Sequence, residues 1–372
     1  MPHSMSARIF LIFLALYSLL GMHFFMHNQG GSGLYLPFNM VGWAFVSVLI
    51  SIGIWHLTTI KQLTLSRTQL WVLAGFAILL LPFLNPQAEW NASAQPRFLA
   101  IAAGLLLFFA LHQFQFTENQ RHNLLYLLLG AVAIEAVFGL VQFFVLKDGN
   151  WLGYNAKINR PYGIFQKDSV FSSFLAVGLA ITFYLQCWDS KVLTSRWRQG
   201  LLSLILVATP LLLIQIQSRA GIYGAILATA CMLPVLWSYN RRIFLWSVAL
   251  MGLSLSVGLW VYTSARPADS YALTSGYRKL YWSHLLSLLP QSPWLGHGYG
   301  SFEYTFLHDF YAPEHITPGM RLMEENLDSP HNEVLFWLHE GGIVAVIGLM
   351  VFATGYIRSV LKCAGWPKRI SL

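Results

Sequence analysis

Pro330-His331-Asn332-Glu333 sets an imidazole, an amide and a carboxylate at the opening of the last long apolar run in the chain, which continues through Trp337, His339, Glu340, Gly341 and Gly342. The positive end of a helix dipole disfavours imidazolium, so a histidine placed there stays neutral and can accept a proton. The other reading of His331 is a helix cap or a headgroup contact. Four cations form a second set. Arg160 lies in Arg-Pro-Tyr-Gly-Ile-Phe-Gln, and Lys167 follows it beside Asp168. Arg219 occupies the tight turn Gln217-Ser218-Arg219-Ala220-Gly221, and Arg278 opens a stretch of helical periodicity. Guanidinium groups pair bidentately with phosphate oxygens and keep their charge near lipid, so several at one membrane face suit a polyphosphate. Each taken alone also fits a headgroup anchor.

A metal site does not fit this spacing. One helical turn from His331 stand Val334 and Leu335, and His339 lies about 12 Å further along a helix rising 1.5 Å per residue. His339-Glu340 lacks the second histidine of a His-Glu-x-x-His motif, because Ile343 holds that position, so His339 reads as structural. Neither a metal nor another cofactor is expected. Cys187, Cys231 and Cys363 lack the spacing of a disulfide framework or a thiolate site. The glycines at 296, 298 and 300 have no strand before them and read as a turn rather than a nucleotide cradle. Glu135 is the one carboxylate deep inside an apolar run, and Gln142 shares its helix face. It is either the acid of a proton-coupled transporter or a protonated carboxyl hydrogen-bonded to a neighbouring helix.

Composition names the scaffold these residues need. Of 372 residues 56% are hydrophobic and 10% charged, against about 25% charged in a soluble domain, so an ordinary soluble enzyme is excluded and the solvent is a bilayer. The net charge of +8 comes without a basic run carrying interleaved aromatics, so no nucleic-acid partner is expected. A hydrocarbon core of about 30 Å asks for roughly 20 apolar residues per helix. Runs of that kind predict ten transmembrane helices near 9–27, 36–57, 68–84, 97–116, 123–146, 169–188, 199–216, 219–238, 242–264 and 332–357. The first has no small-residue cleavage site after it and reads as a span, not a removed signal peptide.

With a cytoplasmic N-terminus, the inner segments hold Arg8, Lys61, Arg67, Arg121, Lys191, Arg196, Arg198, Arg241, Arg242, Arg358, Lys362, Lys368 and Arg369, opposed only by Glu118 and Asp189. That bias predicts both termini inside. Two outer segments, 147–168 and 265–330, are too long for mere connectors and are where chemistry is expected. Within the second, 277–289 has apolar residues at helical spacing interrupted by Arg278, Lys279 and His284, the pattern of a helix lying on the membrane surface. The predicted organisation is a single all-α polytopic domain, 1–357, whose outer loops form the working face, followed by a short basic cytoplasmic tail, 358–372.

Four stretches then combine: Ile134-Glu135-Ala136 through Gln142; Arg160 to Gln166 with Ser173-Phe174-Leu175-Ala176; Gln217-Ser218-Arg219-Ala220; and Arg278 through Gly296-His297-Gly298-Tyr299-Gly300-Ser301-Phe302-Glu303 to Pro330-His331-Asn332-Glu333 and Glu340-Gly341-Gly342. In order and topology they resemble the bacterial O-oligosaccharyltransferases that glycosylate pilin and other proteins, within the O-antigen ligase and polymerase superfamily. The resemblance implies a GT-C-like helical enzyme of the bacterial inner membrane with a periplasmic active site, no metal, and an undecaprenyl-diphosphate-linked glycan as donor. It implies His331 as the base for an acceptor hydroxyl, Asn332 and Glu333 as residues orienting His331 or the acceptor, and Arg160, Arg219, Arg278 and Lys167 as the diphosphate site. The expected acceptor is Ser or Thr of a periplasmic, pilin-like protein. Ligation to the lipid A core and O-antigen polymerisation are alternatives with the same chemistry, and a polytopic lipid or solute transporter is an alternative of another class. The chain departs from the family at Gln166-Lys167-Asp168-Ser169, where Gln-x-Asn is usual. It also ends soon after the tenth span, where family members continue, so a shortened member is expected.

Overall fold

The computed structural model describes residues 5–24, 37–85, 91–147, 149–150, 152–155, 160–265, 274–310 and 329–363. These residues form α1 (Met5–Leu19), α2 (Pro37–Ile60), α3 (Arg67–Leu80), α4 (Asn91–Gln113), α5 (Glu118–Phe144), α6 (Asp168–Trp188), α7 (Arg196–Ile216), α8 (Arg219–Tyr239), α9 (Arg241–Ala265), α10 (Thr274–Leu288), α11 (Phe302–Phe310) and α12 (Glu333–Cys363), with no strand among them. All but α10 and α11 belong to helices long and apolar enough to cross a membrane, and these correspond one for one to the ten predicted runs. α4 starts ahead of its predicted run, because its polar first turns, Asn91-Ala92-Ser93-Ala94-Gln95, gave no apolar signal. Two helices start on capping boxes, Ser66 with Gln69 at α3 and Thr117 with Gln120 at α5. Their side chains satisfy amides that the first turn leaves unpaired.

The chain divides into two compact units. The first is Met1–Ile60 with Ala110–Ala268. Lipid gives no hydrophobic drive between its helices, so close approach at small residues does the packing. A Cβ on Gly221 of α8 would lie 2.4 Å from the Ser172 Cβ of α6, and one on Gly178 of α6 would lie 2.5 Å from Val132 of α5. Buried polar contacts add to this: Gln215 of α7 donates to the Gly258 carbonyl of α9 (2.9 Å), and Ser247 of α9 to Gln186 of α6 (3.1 Å). Just past α6, Asp189 accepts from the Tyr126 hydroxyl (2.8 Å), the Lys191 amide (3.0 Å) and the Arg198 guanidinium. Burial alone would raise its pKa, but these donors hold the carboxyl below the usual range.

The second unit is Lys61–Phe109 with Asp269–Leu372. Here α3 and α12 meet at glycines, and a Cβ on Gly75 would lie 2.8 Å from the Gly348 carbonyl oxygen. Phe98, Tyr299 and Trp337 form an aromatic core with Leu79, Ala94 and Ala345. The predicted amphipathic segment is present as α10, and its Tyr281 and Leu285 are covered by Phe302, Phe306 and Phe310 of α11. The tenth predicted span is not one continuous helix. Gly342 has φ 65° and ψ −164°, which breaks α12 after Gly341. The loop at 293–298 seals the break. His297 and Gly298 amides donate to the His339 and Glu340 carbonyls (both 2.9 Å), while Ile343 and Val344 amides donate to the Pro293 and Trp294 carbonyls (2.9 and 3.2 Å).

Candidate functional site

Three of the predicted site residues lie in the first unit. Arg160 is half-buried, and its Nη1 donates to the carbonyl of Ile216, the last residue of α7 (3.0 Å). The Asp168 carboxylate lies 3.9 Å from the same nitrogen. The Arg160 loop is thereby joined to the turn Gln217-Ser218 that leads into Arg219, so two stretches distant in sequence share one rim. Arg219 is exposed at the first position of α8, whose first turn carries no acid and whose Ser218 makes no side-chain cap. A guanidinium at that end opposes the helix dipole by about 0.3–1 kcal/mol unless an anion balances it. Lys167 is exposed at the N-cap of α6. Beside it opens a cavity of about 460 Å³, walled by Tyr17, Asn39, Trp43, Ile164, Phe165 and Lys167 among others.

The Arg160 loop is held from below by α5. Gln142 Oε1 accepts from the Tyr162 and Gly163 amides (3.1 and 2.9 Å), and its Nε2 donates to the Gly163 carbonyl (3.3 Å). Glu135 Oε2 accepts from the Ile164 amide (3.0 Å), while Oε1 meets His23 Nδ1 (2.6 Å). Gly163 has φ +59°, and a Cβ there would lie 2.7 Å from Glu135 Oε2, so the loop needs glycine at this point.

The other predicted residues lie in the second unit. His331 is exposed and left-handed (φ +53°), one residue ahead of the residue that caps α12. Asn332 is the N-cap: its Oδ1 accepts from the Leu335 amide (3.2 Å), which gives this residue a structural duty the sequence reading did not assign. Glu333 is exposed in the first turn, where the dipole favours a carboxylate. The Trp282 indole of α10 donates to the Pro330 carbonyl (2.9 Å) and fixes the His331 segment against that helix. Arg278 is on α10, one turn before Trp282, and its side chain lies outside the described residues. The structure thus joins the helix of Arg278 to the segment of His331.

Sequence reasoning missed a second charged centre in this unit. The Glu340 carboxylate, 2% exposed, pairs with the Arg97 guanidinium and accepts from the Phe302 amide (3.3 Å). Arg97 lies over four rings, with its Cζ atom 4.6 Å from the Phe336 centroid and 4.9 Å from that of Trp337. Tyr299 donates to the Leu79 carbonyl (2.7 Å), and burial pushes its phenol pKa up, so it remains a neutral donor. His339 is buried, bonds Thr305 through Nε2 (2.8 Å) and stacks on His297 at 4.5 Å, a core placement. The available signal was that Arg97 opens one predicted apolar run and Glu340 lies within another, where an ionised group needs a partner. Among the described residues, no group of three His, Cys, Asp or Glu side chains converges as metal ligands would.

No curated protein and no solved structure matches the chain. Residues 201–350 match the family model described as O-antigen ligase. The matched stretch runs from α7 into α12 and contains Arg219, Arg278, His331, Asn332 and Glu333, while Arg160 and Lys167 precede it. With ten apolar helices beside it, this match supports a multi-pass membrane protein similar to the O-antigen ligase and polymerase superfamily, whose chemistry is glycan ligation or polymerisation.

Proposed function

We propose that the protein moves a glycan from undecaprenyl diphosphate to a hydroxyl acceptor at the periplasmic face of the bacterial inner membrane. The observation that carries this reading is the rim of the first unit. There Arg160 reaches the Ile216 carbonyl at the end of α7, in the chain segment that leads through Gln217-Ser218 into Arg219. The two cations, with Lys167 next to an apolar-walled cavity, suit a diphosphate attached to a hydrocarbon chain. In this reading Arg278 serves as a further diphosphate ligand and His331 as the base, with Asn332 and Glu333 orienting His331 or the acceptor. The acceptor oxygen bonds to the anomeric carbon as His331 takes its proton. The bond from that carbon to phosphate oxygen breaks, and undecaprenyl diphosphate leaves with the electron pair. Diphosphate departs readily once its charge is offset, so one base and several cations suffice without the paired carboxylates of glycoside hydrolases.

The acceptor we favour is Ser or Thr of a pilin-like periplasmic protein. Since the matched family is described as O-antigen ligase, a second reading keeps the chemistry and takes the lipid A core as acceptor, and polymerisation is a further variant of it. A transporter built on broken helices leaves freed backbone groups for its cargo. Here the amides and carbonyls beside Gly342 are bonded to the 293–298 loop, which speaks against that use. The test is His331→Ala, expressed with an undecaprenyl-diphosphate-linked glycan and either pilin or lipid A core, with product scored by mass. Loss of product by about a hundredfold or more is expected for a general base. A variant as active as wild type removes His331 from the mechanism, and the arm giving product identifies the acceptor.

A further inference from the structure

We infer that Glu135 and Gln142 are positioning residues for the Arg160 loop and that His23 completes the clamp by sharing one proton with Glu135. The inference rests on the proposed role of Arg160 in holding diphosphate. Glu135 and Gln142 are 1% and 0% exposed, and seven residues place them about 10 Å apart on one face of α5. From that face they bond three consecutive amides, Tyr162, Gly163 and Ile164, directly after Arg160-Pro161. A loop in this position would otherwise bury amides without partners, each at its full desolvation cost. Pro161 restricts the backbone between the clamp and Arg160. The base of the arginine is therefore fixed while its guanidinium reaches the Ile216 carbonyl.

The hydrogen-bond inventory explains how a carboxyl can serve here. His23 Nε2 faces the Ser18 carbonyl at 3.0 Å and can only donate to it. One further proton then lies between Nδ1 and Glu135 Oε1, 2.6 Å apart. Whether it rests on nitrogen or oxygen, the pair has no net charge, which avoids the penalty of an isolated buried carboxylate. Glutamine at position 135 preserves every contact: its oxygen accepts from Ile164, and its amide donates to neutral His23. Alanine preserves none. A transporter acid that gains and loses a proton would behave in the opposite way, since glutamine cannot carry one.

The experiment measures binding of undecaprenyl diphosphate alone to the full chain in nanodiscs, alongside amide exchange across 160–166. Glu135→Ala and Gln142→Ala are expected to weaken binding roughly tenfold to a hundredfold and to speed exchange of the loop, as buried loop amides left unpaired would. Glu135→Gln is expected to stay within about threefold of wild type, since the interaction pattern is kept. In an Arg160→Ala background, Glu135→Ala is expected to add nothing, because the clamp acts through that arginine. Equal defects in Glu135→Gln and Glu135→Ala, or additive losses with Arg160→Ala, overturn the inference. If Arg160→Ala alone binds normally, the donor-site reading fails, and the exchange data separate that failure from failure of the clamp.

Discussion

Gly342→Ala tests whether the break in α12 is built into the backbone. At φ 65° and ψ −164° the residue occupies a region almost restricted to glycine, which costs an alanine of order 1–3 kcal/mol. The added Cβ would also sit 2.2 Å from the Trp294 carbonyl oxygen and 2.6 Å from the Gly296 nitrogen, both backbone atoms. The loop must then retreat, and it cannot do so while keeping the amides of Ile343 and Val344 on Pro293 and Trp294. Two buried backbone groups left unpaired cost about 1–3 kcal/mol each, so with the strain the loss is about 3–9 kcal/mol, a large part of the roughly 5–15 kcal/mol that stabilises a typical domain. The control is Gly252→Ala in α9, where nothing lies within 4 Å of the new methyl. Removing a helical glycine there should stabilise by up to about 1 kcal/mol. Heating detergent-extracted protein and following the folded peak by fluorescence-detected size exclusion compares the two. Gly342→Ala is expected to lose its folded peak far below wild type, with Gly252→Ala at or above it. A Gly342→Ala protein that melts with wild type would refute the reasoning, because it would show the break to be adaptable.

The Arg97–Glu340 pair should respond unequally. Arg97→Ala strands a carboxylate that is 2% exposed, at about 3–5 kcal/mol, whereas Glu340→Ala leaves a guanidinium that is 27% exposed and still over its rings. The double variant is expected to recover part of the Arg97→Ala loss, and thermal midpoints of the four proteins check it. Asp189 should show its effect only in acid. Its folded pKa lies below the unfolded value of 3.8, so its contribution is fully present above 3.8 and is lost as pH falls through the folded value. Wild type is expected to exceed Asp189→Asn in thermal stability at pH 7, and the gap to close below 3.8; a gap that survives strong acid would contradict the assignment.

What the sequence disclosed follows from which forces are local. The ten spans were legible because hydrocarbon thickness requires a long apolar run wherever a helix crosses, and no partner is needed to see it. The turn at 296–300 was legible because three glycines at alternate positions seldom serve anything else, and all three have positive φ. The break at Gly342 was not, since Gly341-Gly342 inside an apolar run fits a tolerated weak point in a helix as well as a true end. What decides is the loop around Trp294, almost fifty residues earlier. Arg97 and Glu340 show in the sequence only as separate charges, because their pairing spans 243 positions and leaves no trace in either neighbourhood. Of the two accounts of Glu135, hydrogen bonding to a neighbour fits the structure in kind, but the principal partners are a loop amide and His23 from the turn after α1.

The two units solve one problem by opposite means, and the difference governs how each tolerates change. Both must hold an irregular loop where water cannot satisfy its amides. In the first unit an unbroken helix lends side chains, and the loop at 162–164 bonds to Glu135 and Gln142. In the second a helix gives up its own regularity, and the loop at 293–298 bonds to backbone groups that the break at Gly342 releases. A side-chain clamp can be rebuilt by any residue of matching shape and donor pattern, which is why glutamine is expected to replace Glu135. A backbone clamp has no side chain to exchange. Its specificity lies in the conformation and bareness of Gly342 and Gly296, where an added Cβ would lie within 2.2 and 2.4 Å of main-chain atoms. Conservative rescue at position 135 and its absence at position 342 therefore follow from one cause, the need to pair every buried amide, applied through different atoms.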